Sequence, residues 1–268
     1  MTLVAAALIG GGLVSAPAQA VPFDRSLHLV NANNARDVGG YQTTDGHWVR
    51  TGIVFRSNSL GTLTGAEWAT LTGRGITLDV DLRNASERAK APDHPPVGII
   101  YQVQDVVGPP AGTPPSLAAC PLLPTTINAI SALRGTPFDD IFTGGSYPLM
   151  VCYNGASIAF GNLMTDIATH TSGGIIYHCS AGKDRTGWAT AVLLTILGVP
   201  RATVTADFMA SNIYRGPGSV QQSWLDAAFA QVDAAYGSFD GYVRNGLKLS
   251  PQTVSALKSR MLTTQQPG

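Results

Sequence analysis

The 268-residue chain predicts an α/β fold, a central and mostly parallel sheet flanked by helices, and three observations carry that prediction. Short apolar runs such as Ile76–Leu82 and Gly174–Tyr177 have the length and pattern of buried strands. Between them lie stretches of helical periodicity, such as Ala156–Thr169 with Ile158, Phe160, Leu163 and Ile167 toward one side. The alternation of the two favours helices packed on a sheet, and the chain is long enough for one sizeable core.

The first twenty residues read as a signal peptide: an apolar core from Leu3 to Val14 precedes Ala18-Gln19-Ala20, a small-x-small cleavage pattern. The stretch is too short and too rich in glycine for a comfortable membrane span. No lysine or arginine precedes the apolar run, which is compatible with a start inside a longer leader. The expectation is an exported protein, secreted or held in the cell envelope, with residues 21–268 forming one domain.

Within that domain, Leu27–Asn33 and Trp48–Arg56 read as short strands around the turn-rich Gly39-Gly40 and Thr43–Gly46. Thr64 and Glu67 have capping-box spacing and should open a helix running to about Thr72. Ile76–Leu82 reads as a strand ending at Arg83. Asn84–Lys90 reads as a short charged surface helix, stopped by Pro92, Pro95 and Pro96. Residues 106–147 are different: six prolines between Pro109 and Pro124 punctuate them, with one weak apolar helix over 126–133. They predict an insertion that either covers the catalytic loop described below or forms a surface excursion. Helices are expected over Val204–Ser211, Ser219–Ala235 and Pro251–Leu262, the last capped by Ser250 with Pro251 in its first position.

Cys120 and Cys152 bracket the proline-rich segment. In an exported protein they invite a disulfide, which would stabilise the domain by roughly 3 kcal/mol in the chain-entropy model; two buried thiols are the alternative. The net charge is zero, and the first twenty residues carry no charged side chain. That excludes bulk attraction to nucleic acid or anionic membranes. No later segment has the character of a membrane span.

The chemistry concentrates in His178-Cys179-Ser180-Ala181-Gly182-Lys183-Asp184-Arg185-Thr186-Gly187. An apolar strand precedes this loop and an apolar helix, Trp188–Leu197, follows it. Helix N-termini present unpaired N–H groups and partial positive charge, so they favour both an ionised sulfur at Cys179 and a phosphate. Ser180, Ala181, Gly182, Lys183, Asp184 and Arg185 can wrap one phosphoryl group, with the planar fork of Arg185 matched to two of its oxygens. Gly182 permits close backbone approach, and Thr186 is placed to hydrogen-bond the sulfur. A nucleoside-triphosphate loop is excluded, because Lys183 is followed by Asp184 and Tyr177 stands where the first glycine belongs. No second pair of ligands at metal spacing accompanies His178-Cys179, and no cofactor fingerprint occurs.

The loop resembles the signature of cysteine-dependent protein tyrosine phosphatases, in the form found in the secreted mycobacterial tyrosine phosphatase B subgroup. Asn34–Gly40, Phe55-Arg56-Ser57, Asp81-Leu82-Arg83 and Asp207–Asn212 resemble further elements of that subgroup. The resemblance implies metal-independent phosphomonoester hydrolysis through a phosphocysteine, with phosphotyrosine, phosphoserine/threonine or phosphoinositide substrates. Lys183 is the residue that goes with phosphoinositides. It also implies Asp81 as the proton donor; Asp184 is a second candidate and Asp93 a third. Arg36 and Asp37 are expected to buttress the loop, or merely to pair with each other, and His178 to orient Cys179. A phosphate-binding module without turnover is the alternative from another class.

Overall fold

The computed structural model describes residues 25–108, 112, 114, 116, 118–120 and 147–267. The expected signal peptide and most of the proline-rich insertion, including 126–133, lie outside the described residues.

Five strands form the main sheet in the order β1-β3-β6-β4-β5: Arg36–Asp37, Val54–Ser57, Gly174–His178, Ile76–Asp81 and Ile100–Val103. β3, β6, β4 and β5 run parallel, and only β1 is antiparallel, against β3. Every residue of β6 is buried, as a central parallel strand covered on both faces requires. Its Ile175 and Tyr177 enter the larger apolar cluster with Val54 and Val80, whereas Ile176 enters a smaller cluster with Phe55 on the other face. The period-two alternation of side chains thus supplies both layers.

Helices fill both faces. α1, Gly65–Gly73, opens with a complete capping box between Thr64 and Glu67 and buries Trp68 and Leu71 in the smaller cluster. α2, Ala85–Lys90, has a second capping box, Asn84 with Glu87. α3, Tyr147–Cys152, and α4, Asn154–Thr169, feed the larger cluster with Tyr147, Met150, Phe160 and Leu163. α5, Arg185–Ile196, has every residue buried except Thr195. α6, Arg201–Met209, α7, Ser211–Arg215, and α8, Gln222–Tyr236, follow, and α9, Pro251–Met261, is capped by Ser250 with Pro251 at its start. Cys120 and Cys152 are joined by a disulfide.

Three expectations change. Leu27–Asn33 is not a strand: its chain bends back so that the Leu27 N–H reaches the Ala35 carbonyl, and only Ser26 bridges to Arg36. Trp48–Arg56 is two strands, because Gly52 at φ +76° breaks the run. Its first part, β2, Trp48–Val49, instead pairs with β7, Leu262–Thr263. Val204–Ser211 lies across two helices, α6 and α7, rather than one.

Candidate active site

Parallel strands bring their C-terminal ends to one edge of the sheet, and there β6 hands the chain to the loop. In register, Ser57 of β3 and Asp81 of β4 flank His178. The loop therefore starts between two strand ends and finishes at the N-terminus of α5, with Cys179 1% exposed. Gly182 is required at its apex: φ is +68°, and a Cβ there would lie 2.5 Å from the Asn58 nitrogen. Gly187 has a packing reason, since a Cβ would press to 3.1 Å on the Phe208 ring.

Two buried donors hold the outside of the turn. The Gly182 carbonyl accepts from Arg56 Nη2 at 2.9 Å and from Asn34 Nδ2 at 2.9 Å. Arg56 and Arg36 converge in turn on Asp207 at the end of α6. Arg56 Nη1 lies 2.7 Å from Oδ2, Arg36 Nε 3.4 Å from Oδ1, and the Tyr41 hydroxyl donates to Oδ1 at 3.0 Å. Arg25 approaches the same carboxylate at 3.8 Å. Burial opposes the Asp207 anion, but Arg36 and Arg56 outweigh it and hold its carboxyl down at about 2. Burial and the neighbouring Arg56 bring Arg36 down to about 10, still charged at neutral pH.

Arg36 is connected to the loop indirectly, through Asp207 and through Asn34, whose Oδ1 accepts from Nη1 at 2.6 Å. Asp37 has no hydrogen bond to the loop and no ion pair with Arg36 among the described residues. Its two oxygens accept the Gly39 and Gly52 N–H groups, both at 2.7 Å, and so tie two turns together.

On the other side, α2 sends Glu87 into the loop. Its carboxylate receives both terminal nitrogens of Arg185, at 2.8 and 2.6 Å, and the Ser180 hydroxyl at 2.5 Å. The fork is thereby fixed in plane as well as position. Burial opposes the Arg185 charge, but Cys179 and Glu87 outweigh it and raise its pKa further. Sequence reasoning missed Glu87, assigning its helix to the surface; the Asn84–Glu87 capping-box spacing was the available signal, since it fixes where the Glu87 side chain turns.

Beneath the loop lies an acidic group. Asp81 accepts from Arg83 Nε at 2.9 Å and Nη2 at 2.7 Å, from the Arg83 N–H at 2.9 Å and from the Tyr101 hydroxyl at 2.8 Å. Burial opposes its anion, but His178 and Arg83 outweigh it and hold the carboxyl far below the usual range. Asp81 is thus fully buried, with both carboxylate oxygens engaged by Arg83. Asp93 is likewise tied to Arg83 and lies 3.2 Å from His178 Nε2.

His178 Nε2 is 3.3 Å from Asp79 as well, and its Nδ1 lies 3.4 Å from the Cys179 carbonyl. Burial opposes the imidazolium, but Asp81 and Asp79 outweigh it and raise its pKa well above the ordinary value. Asp79, Asp93 and His178 are near enough to share a metal ion, a grouping that sequence spacing did not show. The imidazolium already supplies the positive charge between the two carboxylates, so the residues present do not call for one.

Asp184 sits differently. It is on the loop itself, 8% exposed, accepting the Tyr147 hydroxyl at 2.7 Å and the Lys183 ammonium at 2.8 Å. Lys183 also lies over the Trp224 ring, 5.6 Å from its centroid. The Thr186 hydroxyl is buried with no hydrogen-bond partner among the described residues.

A sequence model of the tyrosine phosphatase family matches residues 27–263, spanning every element just described. The chain belongs to that family. A tyrosine-protein phosphatase by name from Cupriavidus necator is 30% identical over 87% of this chain and 89% of its own. The triple specificity protein phosphatase PtpB of Mycobacterium tuberculosis is 29% identical over 87% of this chain and 98% of its own. A tyrosine-protein phosphatase of Nostoc commune is 26% identical over 77% and 73% respectively. The phosphatase described here is thus a protein tyrosine phosphatase with an α/β fold and a mostly parallel sheet. No helix among its described residues is long and apolar enough to cross a membrane.

Proposed function

We propose that this phosphatase hydrolyses phosphomonoesters through a phosphocysteine intermediate, with Cys179 as nucleophile, Arg185 as the phosphoryl clamp and Asp184 as the proton donor. The observation that carries the reading is the closure of Cys179 and Arg185 in one buried loop whose arginine fork is locked by Glu87. Cys179 Sγ attacks phosphorus in line as the bond to the leaving oxygen breaks, and Asp184 gives that oxygen its proton. Asp184 then takes a proton from a water that attacks the phosphocysteine, releasing phosphate and the thiolate. Thr186 donates to the departing sulfur, and Arg185 carries the charge that gathers on the equatorial oxygens.

Asp184 is preferred to Asp81 because of their surroundings. Asp81 is caged by Arg83. Asp184 instead pairs with Lys183, a cation on a flexible stem in the same loop. An arriving dianion competes for Lys183 and so loosens its hold on the Asp184 carboxyl.

Phosphotyrosine proteins are the primary substrates in this reading, joined by phosphoserine/threonine proteins and phosphoinositides. The name of the mycobacterial relative supports the wider range, and Lys183 offers a second phosphate a cation. The Cys120–Cys152 disulfide supports an exported, oxidising location.

The test is a panel of phosphopeptides and phosphoinositides with wild type and Cys179→Ser. Wild type should release phosphate from phosphotyrosine peptides and phosphoinositides, and the variant should bind without turnover. Turnover retained by Cys179→Ser removes the covalent mechanism, and a wild type inert on every phosphoinositide restricts the reading to proteins.

A further inference from the structure

Tyr147 is the first residue of α3 and is fully buried, yet it is not among the loop, the strand ends or the arginine network. Its ring packs edge-on against Phe208, with centroids 5.8 Å apart, and is tilted against Trp224 at the same distance. Its one polar atom points at the loop and donates to Asp184 Oδ1 at 2.7 Å. Burial and the adjacent Asp184 raise its pKa well above the ordinary tyrosine value, so the hydroxyl remains a neutral donor.

The helix that carries it is short, and α8 packs along it. At its far end, Cys152 is tied to Cys120, 32 residues earlier in the chain. Cys152 lies five helical steps beyond Tyr147, about 7.5 Å along the axis. A covalent anchor that close limits how far the tyrosine can drift. The contact on Asp184 is equally specific. The carboxylate meets an ammonium on a flexible stem at Lys183 and a phenol on a rigid, packed ring at Tyr147. A bound phosphoryl group can draw the lysine away, whereas the tyrosine has no such freedom.

We propose that Tyr147 is a positioning residue for the reaction: its hydroxyl aims the Asp184 carboxyl at the leaving oxygen, and the Cys120–Cys152 disulfide anchors the helix that delivers it. This rests on the assignment of Asp184 as proton donor.

Leaving-group dependence separates such a role from a structural one. A nitrophenyl phosphate leaves with little protonation, whereas phenyl phosphate needs the proton, and kcat/KM covers the step in which that bond breaks. Tyr147→Phe keeps the ring and removes the donor. It should lower kcat/KM about tenfold for phenyl phosphate while changing the nitrophenyl ester by less than about twofold. In an Asp184→Asn background the same change should have no further effect on either ester. The Cys120→Ser, Cys152→Ser double variant should show the same selective loss, smaller in size.

Equal losses on both esters from Tyr147→Phe would make the contact structural and overturn the proposal. A selective loss that persists in the Asp184→Asn background would show that Tyr147 acts elsewhere. A disulfide-free variant with wild-type selectivity would remove the anchoring half. The underlying acid assignment fails by a separate sign: Asp184→Asn, alone, slowing both esters alike.

Discussion

The catalytic loop rests on two charged clusters of opposite composition. Toward β1, β3 and α6, the guanidiniums of Arg36 and Arg56, with Arg25 nearby, share the single carboxylate of Asp207. Toward β4, the carboxylates of Asp79, Asp81 and Asp93 share Arg83 and His178. The cation-rich cluster touches the loop backbone, through Arg56 on Gly182, and adds positive field on that side of the loop. The anion-rich cluster meets the loop at its first residue and holds His178 charged next to Cys179. One cluster thus braces the apex of the loop, and the other fixes the base from which the loop departs.

Removing the sole anion of the first cluster should give the largest effect. Asp207→Asn leaves two fully buried guanidiniums without a counter-charge, and the loss of a partner from a buried pair costs about 3–5 kcal/mol. Denaturant unfolding reads this directly; a loss below about 1 kcal/mol would mean that the arginines lean on the Gly182 and Asn34 oxygens rather than on Asp207.

Acid should dissolve the same cluster more gently. Asp207 has a folded pKa of about 2 against an ordinary 3.8, so its contribution is complete above about pH 4 and disappears as the pH falls toward 2. At about 1.4 kcal/mol per unit, that is about 2 kcal/mol from this group, and Asp81 and Glu87, also depressed, act in the same direction. Thermal unfolding between pH 5 and about 2 should show the decline. A flat profile would place the arginines' support elsewhere.

The anion-rich side should respond least, and with the opposite sign. Neither oxygen of Asp79 has a hydrogen-bond partner among the described residues, and burial raises its pKa above 3.8. A raised carboxyl destabilises the fold once the pH exceeds its unfolded pKa. Asp79→Asn should therefore be neutral near pH 3 and stabilise the fold near pH 7. A loss above about 2 kcal/mol at neutral pH would show instead that the Asp79–His178 pair holds the cluster together.

Much of this arrangement was legible in the chain, where local physics is self-contained. The β6 strand, the loop and α5 follow one another within His178–Leu197 and its preceding apolar run, so period, glycine and helix start could be read together. Thr64, Asn84 and Ser250 mark helix starts through caps that need only three or four neighbours. What was not legible depends on partners far away in the chain. Glu87 looks like one charge on a solvated helix until the fold sets it against Arg185, 98 positions later. Asp207 supports the loop across 151 positions from Arg56. Asp81 stands at a strand end, where a ligand-facing acid belongs, and only the geometry shows Arg83 and Tyr101 closing over it. Leu27–Asn33 has strand-like composition, but the turn at Asn31–Asn34 returns the chain too soon for a ladder.

The encasement of α5 ties catalysis to the integrity of the whole domain. Its near-complete burial leaves the loop no hinge of its own on that side. Local opening of such a helix would expose the core on every face at once, so its amides should exchange with solvent only on global unfolding, a pattern that native-state hydrogen exchange reads. The geometry of the loop and the fold are then lost in one cooperative transition.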